Sequence, residues 1–110
     1  MPQYLTLYTP DVPSNDPPGP EHMAAMGKLI ERMYARNALV AMGATVPGSL
    51  AVRLVKGAFS VRDVPRSGEQ GFAILNAMDR DDAVQMTREF LAVAGDGESV
   101  LHPLMGQPNS

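Results

Sequence analysis

The chain of 110 residues has no cysteine and no tryptophan, and its aromatic residues are three phenylalanines and three tyrosines. The absence of cysteine excludes a disulfide scaffold, a thiolate nucleophile and thiolate zinc sites. The net charge is −3 and the nine lysines and arginines are scattered, so the basic, aromatic-rich surface that nucleic acids require is missing. No dinucleotide or phosphate-binding motif is present. We therefore expect no cofactor, no metal and no nucleic acid.

Long hydrophobic runs are also missing. No segment approaches the roughly 20 apolar residues of a membrane span, and the first residues lack the basic and apolar regions of a secretory signal. We therefore expect a cytoplasmic protein that does not associate with membranes. Hydrophobic residues make up 45% of the chain and charged residues 19%, which is typical of a globular protein. One α+β domain over 1–110 is predicted, with a proline-rich loop at 10–20 and a tail at 106–110.

Apolar spacing and turn residues predict the order of elements along the chain. Lys56-Gly57 suits a two-residue hairpin turn that needs positive φ angles, and Asp79 suits the cap of a second helix that Gly95 ends. The predicted strands are 3–9, 39–45, 51–55, 58–61, 71–78 and 99–105, and the predicted helices are 21–37 and the segment between Asp79 and Gly95. This order is that of a ferredoxin-like antiparallel sheet with two helices on one face and an added β-hairpin.

Two of the strands predict self-association. Residues 39–44 and 72–77 are apolar on both faces, as in strands that are buried on both sides. Because two helices cover only one face of a sheet, the second face must meet another copy or form a ligand cavity. We therefore expect a homodimer.

Three segments carry a family resemblance: QYLTLYT, VRLVKGAFSVRDVPR and GFAILNAMDRDDAV. They resemble the YCII-related (DGPF-domain) family. Asp63 and Pro65 match its Asp-Gly-Pro-Phe signature, and Glu69 matches a common Glu, whereas Val64 and Arg66 replace the Gly and the Phe. The resemblance implies a dimeric α/β barrel with a cleft at the sheet edge. It implies little chemistry, because few members have an assigned activity, although some relatives act on chlorinated lactones.

The residues that could carry chemistry surround the predicted hairpin and the last strand. His102 could act as a general base beside Asp63 or Glu69, because an imidazole titrates near neutral pH; alternatively it is a half-buried histidine bonded to backbone. Arg66, with Asp63, could orient a carboxylate or carbonyl ligand; alternatively these residues form a solvated turn.

Three further residues are candidates for substrate binding. His22 stands at the start of the first helix. The resemblance implies a catalytic histidine within this helix, but Met26 occupies that position, one helical turn after His22. Arg53 is a charge within an apolar strand and must face solvent, a partner or a ligand. Tyr8 shares a strand face with Tyr4 and Thr6 and could supply a hydroxyl to a cleft.

Two functions remain open at this point. The first is a homodimeric protein that binds a small polar organic molecule, with acid–base or lyase-type chemistry at His102 if it is an enzyme. The second is a non-catalytic regulatory or protein-interaction module that uses the same face. A relative of the heme-degrading or quinol-forming monooxygenases is a third, less supported alternative.

Overall fold

The computed structural model describes residues 2–12, 19–65 and 68–105. Arg66, the tail at 106–110 and most of the predicted proline-rich loop lie outside these residues. Among the described residues, neither helix is long and apolar enough to cross a membrane. The elements are β1 (Gln3–Pro10), α1 (Pro20–Ala35), β2 (Leu39–Ala44), β3 (Leu50–Val55), β4 (Ala58–Asp63), β5 (Gly71–Asn76), α2 (Arg80–Ala94) and β6 (Gly97–Leu104).

Six of the elements form the predicted ferredoxin-like arrangement. The four-stranded sheet has the order β2-β5-β1-β6, and every neighbouring pair in it is antiparallel. The remaining strands, β3 and β4, pair only with each other. The mixed α+β class, the antiparallel sheet and the added hairpin are therefore confirmed.

The core lies between the two helices and one face of this sheet, here called the inner face. Register places Tyr4, Thr6 and Tyr8 of β1 on the inner face, opposite Leu75, Ala73 and Gly71 of β5. The most buried large side chains are Leu29 of α1 and Met86 of α2. The helical spacing of Met23, Met26, Ile30 and Met33 predicts one apolar stripe along α1. Met33 is indeed buried, whereas Met23 is 59% exposed. The buried stripe of α1 is thus centred on Leu29 and Met33.

Local signals in the sequence set the hairpin turn and both ends of α2 as predicted, whereas α1 ends at Ala35, two residues before its predicted end. Lys56 and Gly57 both have positive φ, 50° and 82°, as a two-residue hairpin turn requires. Gly95, at φ 103°, follows the last residue of α2, and its N–H donates to the Leu91 carbonyl. β5 ends at Asn76, two residues before the predicted end, where the Asn76 amide bonds the side chain of Gln3 and the carbonyl of Asn37.

The start of α2 is fixed by two hydrogen bonds of Asp82, one from its backbone and one to its side chain. The Asp82 N–H donates to Asp79 Oδ1 at 2.8 Å, and the Met78 N–H donates to Asp82 Oδ2 at 2.9 Å. Each bond satisfies a backbone donor that has no partner within the helix, and the carboxylates also favour the positive end of the helix dipole.

We expect Asp79→Ala to lower the free energy of unfolding by about 1 kcal/mol, because it removes the N-cap acceptor. Asp79→Asn retains an oxygen at the same place and should lose much less. Urea denaturation of the three proteins measures the difference. Equal losses for both substitutions would mean that charge, rather than the cap hydrogen bond, stabilises this end of the helix.

Candidate functional site

An apolar cavity of about 70 Å³ lies between the helices and the inner face of the sheet. None of the residues that line it carries a charge. Half of the lining residues from the sheet are small, among them Gly71 and Ala73 of β5, whereas the helices contribute mostly longer apolar side chains. The lining comprises Thr6, Tyr8, Met26, Leu29, Ile30, Met33, Leu39, Met42, Gly43, Gly71, Phe72, Ala73, Leu75, Met86, Thr87, Phe90 and Ser99.

Tyr8 forms one end of this cavity and is held there by several contacts. Its ring meets Phe90 edge to face, with centroids 5.2 Å apart and planes at 84°. Its hydroxyl lies 3.4 Å from the carbonyl oxygen of Gly95 and 3.5 Å from that of Asp96, to which it can donate. The ring also depends on Gly97, because a Cβ there would lie 2.7 Å from Tyr8 Cε1 and 2.6 Å from the Thr9 carbonyl oxygen.

The environment of Tyr8 affects its ionisation. Burial raises the pKa of Tyr8, and the nearby carboxylates of Asp11 and Asp96 raise it further, because both oppose a phenolate charge. At neutral pH the hydroxyl is therefore a hydrogen-bond donor and not a base.

The β3–β4 hairpin presents a second candidate site, an apolar face open to solvent. Cross-strand pairing joins Leu54 to Phe59 and Val52 to Val61 on one side of the hairpin, beside Leu50. These five side chains, here called the hairpin apolar face, are between 58% and 75% exposed. The opposite side of the hairpin carries the polar residues Arg53, Ser60 and Arg62.

A third surface is the outer face of the four-stranded sheet, on the side away from the helices. Register places Leu5 opposite Ile74, and Leu7 opposite both Phe72 and Val100, on this face. Val100 is 44% exposed, and the other four side chains are only half-buried. No element of the described chain packs over them. The strands that were predicted to be buried on both faces are thus covered on one face within a single copy.

The structure places His102 and Asp63 in different sheets. His102 lies exposed on the outer face of β6, opposite Leu5, and Asp63 is the exposed last residue of β4. Within the described residues, no hydrogen bond or ion pair joins them. The described residues also contain no group of three or more His, Asp or Glu side chains that could hold a metal.

The remaining predicted site residues are dispersed. Arg53 is exposed on the polar side of the hairpin, and His22 is half-buried in the first turn of α1. Glu69 precedes β5, where its carbonyl accepts a hydrogen bond from Thr45 Oγ1 at 2.7 Å. Arg66 lies outside the described residues. Among the candidate residues that the structure describes, only Tyr8 lines the cavity.

Comparison with known proteins gives no family assignment. No family model matches the chain, and no curated protein matches it. Among solved structures, CutA1 from Oryza sativa is similar at 14% identity and a TM-score of 0.46, over 99% of this chain and 85% of that one. The divalent cation tolerance protein Cut A1 from Thermus thermophilus is similar at 11% identity and a TM-score of 0.46, over 99% of this chain and 89% of that one.

These findings correct the resemblance inferred from the sequence. The assignment to the YCII-related family is wrong, since no family model matches the chain. Three short apolar segments and two residues of a four-residue signature were too little to carry it. At 11–14% identity, what is known of the CutA1 proteins is not transferred to this chain either.

Sequence reasoning missed the cavity itself. The one sequence signal for the cavity was Gly71-Phe72-Ala73, because Gly71 and Ala73 are small, lie two positions apart and hence share one face of β5. Ser99 was seen only as the start of the last strand, yet register places it on the inner face opposite Tyr8. Small residues on neighbouring strands leave space only when pairing brings them together.

The raised pKa of Tyr8 predicts an alkaline dependence of stability. The protonated Tyr8 hydroxyl stabilises the folded state. This contribution is complete below the pKa of about 10 that tyrosine has in the unfolded chain, and it is lost as the pH rises through the higher pKa of Tyr8 in the folded chain. Urea denaturation at increasing pH should therefore show a loss of unfolding free energy that is smaller in Tyr8→Phe. Ultraviolet titration should lose its late tyrosinate component in Tyr8→Phe and keep it in Tyr34→Phe, which removes an exposed tyrosine. An unchanged titration of Tyr8→Phe would contradict the assignment.

Proposed function

We propose that this chain is a self-associating interaction module in which the hairpin of one copy packs on the outer sheet face of another. The observation that carries the proposal is the hairpin apolar face, whose five large apolar side chains are between 58% and 75% exposed in a single copy. Water-exposed apolar patches of this kind mark interaction surfaces in proteins.

The hairpin needs an external partner for its own stability. An isolated two-stranded hairpin is at best marginally stable in water, because it has no layer to pack against. Five residues, 45–49, join β2 to β3, so the hairpin projects from the sheet edge. The radius of gyration of 16.2 Å agrees with this, since about 13 Å is typical of a compact domain of some 100 residues.

A second copy of the chain is the partner that the surfaces favour. The outer sheet face offers Leu5, Leu7 and Ile74, a matching apolar area on the same molecule, which its own hairpin does not cover. Two copies that exchange hairpins would bury both surfaces of each copy in a closed, two-fold assembly. We therefore propose a homodimer as the smallest assembly, formed by hairpin-to-sheet contacts. The direct sheet-to-sheet packing of a dimeric α/β barrel would leave the hairpin uncovered.

Acid–base chemistry at His102 and Asp63 is a weaker proposal. These residues are exposed and lie in separate sheets of one copy, so a single chain does not assemble the pair. His102 does lie on the outer sheet face, where the hairpin of a second copy would pack. Because a single chain does not bring His102 and Asp63 together, a non-catalytic interaction module has the better support.

The test replaces a cross-strand pair on the hairpin apolar face with opposite charges. Val52→Lys together with Val61→Glu retains an attractive cross-strand pair but prevents apolar contact with a second copy. Light scattering should give the mass of one chain for this variant and a multiple of it for the wild type. Circular dichroism reports whether the four-stranded sheet and the helices remain folded.

The matched control is Ser60→Glu, which places a carboxylate opposite Arg53 on the polar side of the same hairpin and should leave the mass unchanged. A wild-type protein that is monomeric at micromolar concentration would refute self-association. If Val100→Lys on the outer sheet face gave monomers while the hairpin variant did not, sheet-to-sheet packing would replace the proposed contact.

A further inference from the structure

We infer that the cavity between the helices and the inner sheet face is a binding site for a small, neutral, largely apolar molecule with one hydroxyl group. Its walls belong to a single copy, so the site does not depend on self-association. The inference rests on the charge, size and plasticity of the lining and on one buried polar atom.

The lining excludes charged ligands. None of its residues is ionised at neutral pH, since Tyr8 is the only titratable one and the pKa of Tyr8 is raised. The hydroxyl of Thr87 donates to the Ala83 carbonyl at 2.9 Å, and that of Thr6 lies within 3.4 Å of the Ala73 carbonyl. A carboxylate or phosphate in this space would lose its hydration without gaining a counter-charge.

Size and plasticity define the rest of the ligand class. The volume of about 70 Å³ exceeds the space of a single water but is about half of the roughly 150 Å³ cavity that admits benzene in another protein. Met26, Met33 and Met86 border the cavity, and methionine side chains change rotamer at little cost. A six-membered ring is therefore the largest ligand expected, and its entry requires these side chains to move.

Ser99 supplies the hydroxyl of the lining that has no hydrogen-bond partner among the described residues, whereas those of Thr6, Tyr8 and Thr87 have one. It lines the cavity, and its Oγ is buried without a hydrogen bond to any described residue. Leaving such a group unpaired is costly, whereas a bound hydroxyl would satisfy it after rotation of the Ser99 side chain. The site should thus prefer phenol to benzene and reject benzoate, three probes that share one ring.

The experiment titrates the full chain with benzene, phenol and benzoate, with calorimetry for affinity and methionine-methyl NMR for location. Benzene and phenol should shift the signals of Met26, Met33 and Met86 but not that of the exposed Met78. Phenol should bind about three- to tenfold more tightly than benzene, the range of one net hydrogen bond. Ser99→Ala should abolish this preference and leave benzene binding unchanged.

Filling the cavity gives the second arm of the test. Ala73→Leu should reduce benzene and phenol binding at least about tenfold, because its side chain occupies the site. Ala92→Leu makes the same change on the exposed side of α2 and should have no effect. If Ala73→Leu does not fold, Gly71→Ala adds one methyl group at ordinary contact distance, 3.7 Å from the Gly43 carbonyl oxygen.

Three results would overturn the inference. Benzoate binding as tight as benzene binding would refute the exclusion of charge. Benzene binding that survives both filling variants would place the ligand elsewhere. Equal affinities of phenol and benzene for the wild type would remove Ser99 from the site. None of these results bears on the mass of the assembly, so failure here is distinguishable from failure of the proposed self-association.

Discussion

Packing of the two helices on one face of the four-stranded sheet is the constraint on which the other features depend. Leu29 of α1 and Met86 of α2 are almost completely buried there, with Leu75 of β5 beneath them. Both helices are used in this layer, so none is left for the outer face or for the hairpin. Burial drives folding in proportion to the apolar area removed from water. The surfaces that the chain leaves apolar and uncovered are therefore the places to seek its partners.

The same layer also explains the cavity. Larger side chains of the sheet, such as Leu39 and Leu75, belong to the buried core, whereas Gly71 and Ala73 have no side chain long enough to fill the space beside them. Protein interiors are normally packed to the density of organic crystals, so unfilled space costs contacts along its walls. Methionines on the helix side reduce that cost because they adjust to irregular space.

How far the sequence predicts this molecule depends on the range of each signal. The Lys56-Gly57 turn, the Asp79 cap and the Gly95 helix end are local, and each was predicted correctly. Together they imply the order of elements and hence the ferredoxin-like sheet. The methionine spacing on α1 is also local, yet it gave too much weight to Met23 and none to Leu29, because spacing alone does not tell which side of a helix meets the sheet.

The candidate sites were beyond prediction for a related reason. The cavity exists because pairing sets Ser99 opposite Tyr8 and Tyr8 opposite Gly71, a coincidence of three strands that are distant in sequence. The hairpin strands were recognised, but their separation from the main sheet was not, because alternation along a strand does not say what its apolar side faces. Val52 and Phe59 would show the same alternation of apolar and polar residues whether the hairpin packed on its own sheet or on the sheet of a second copy. Exposure of the whole hairpin apolar face in the folded chain is what favours the neighbour.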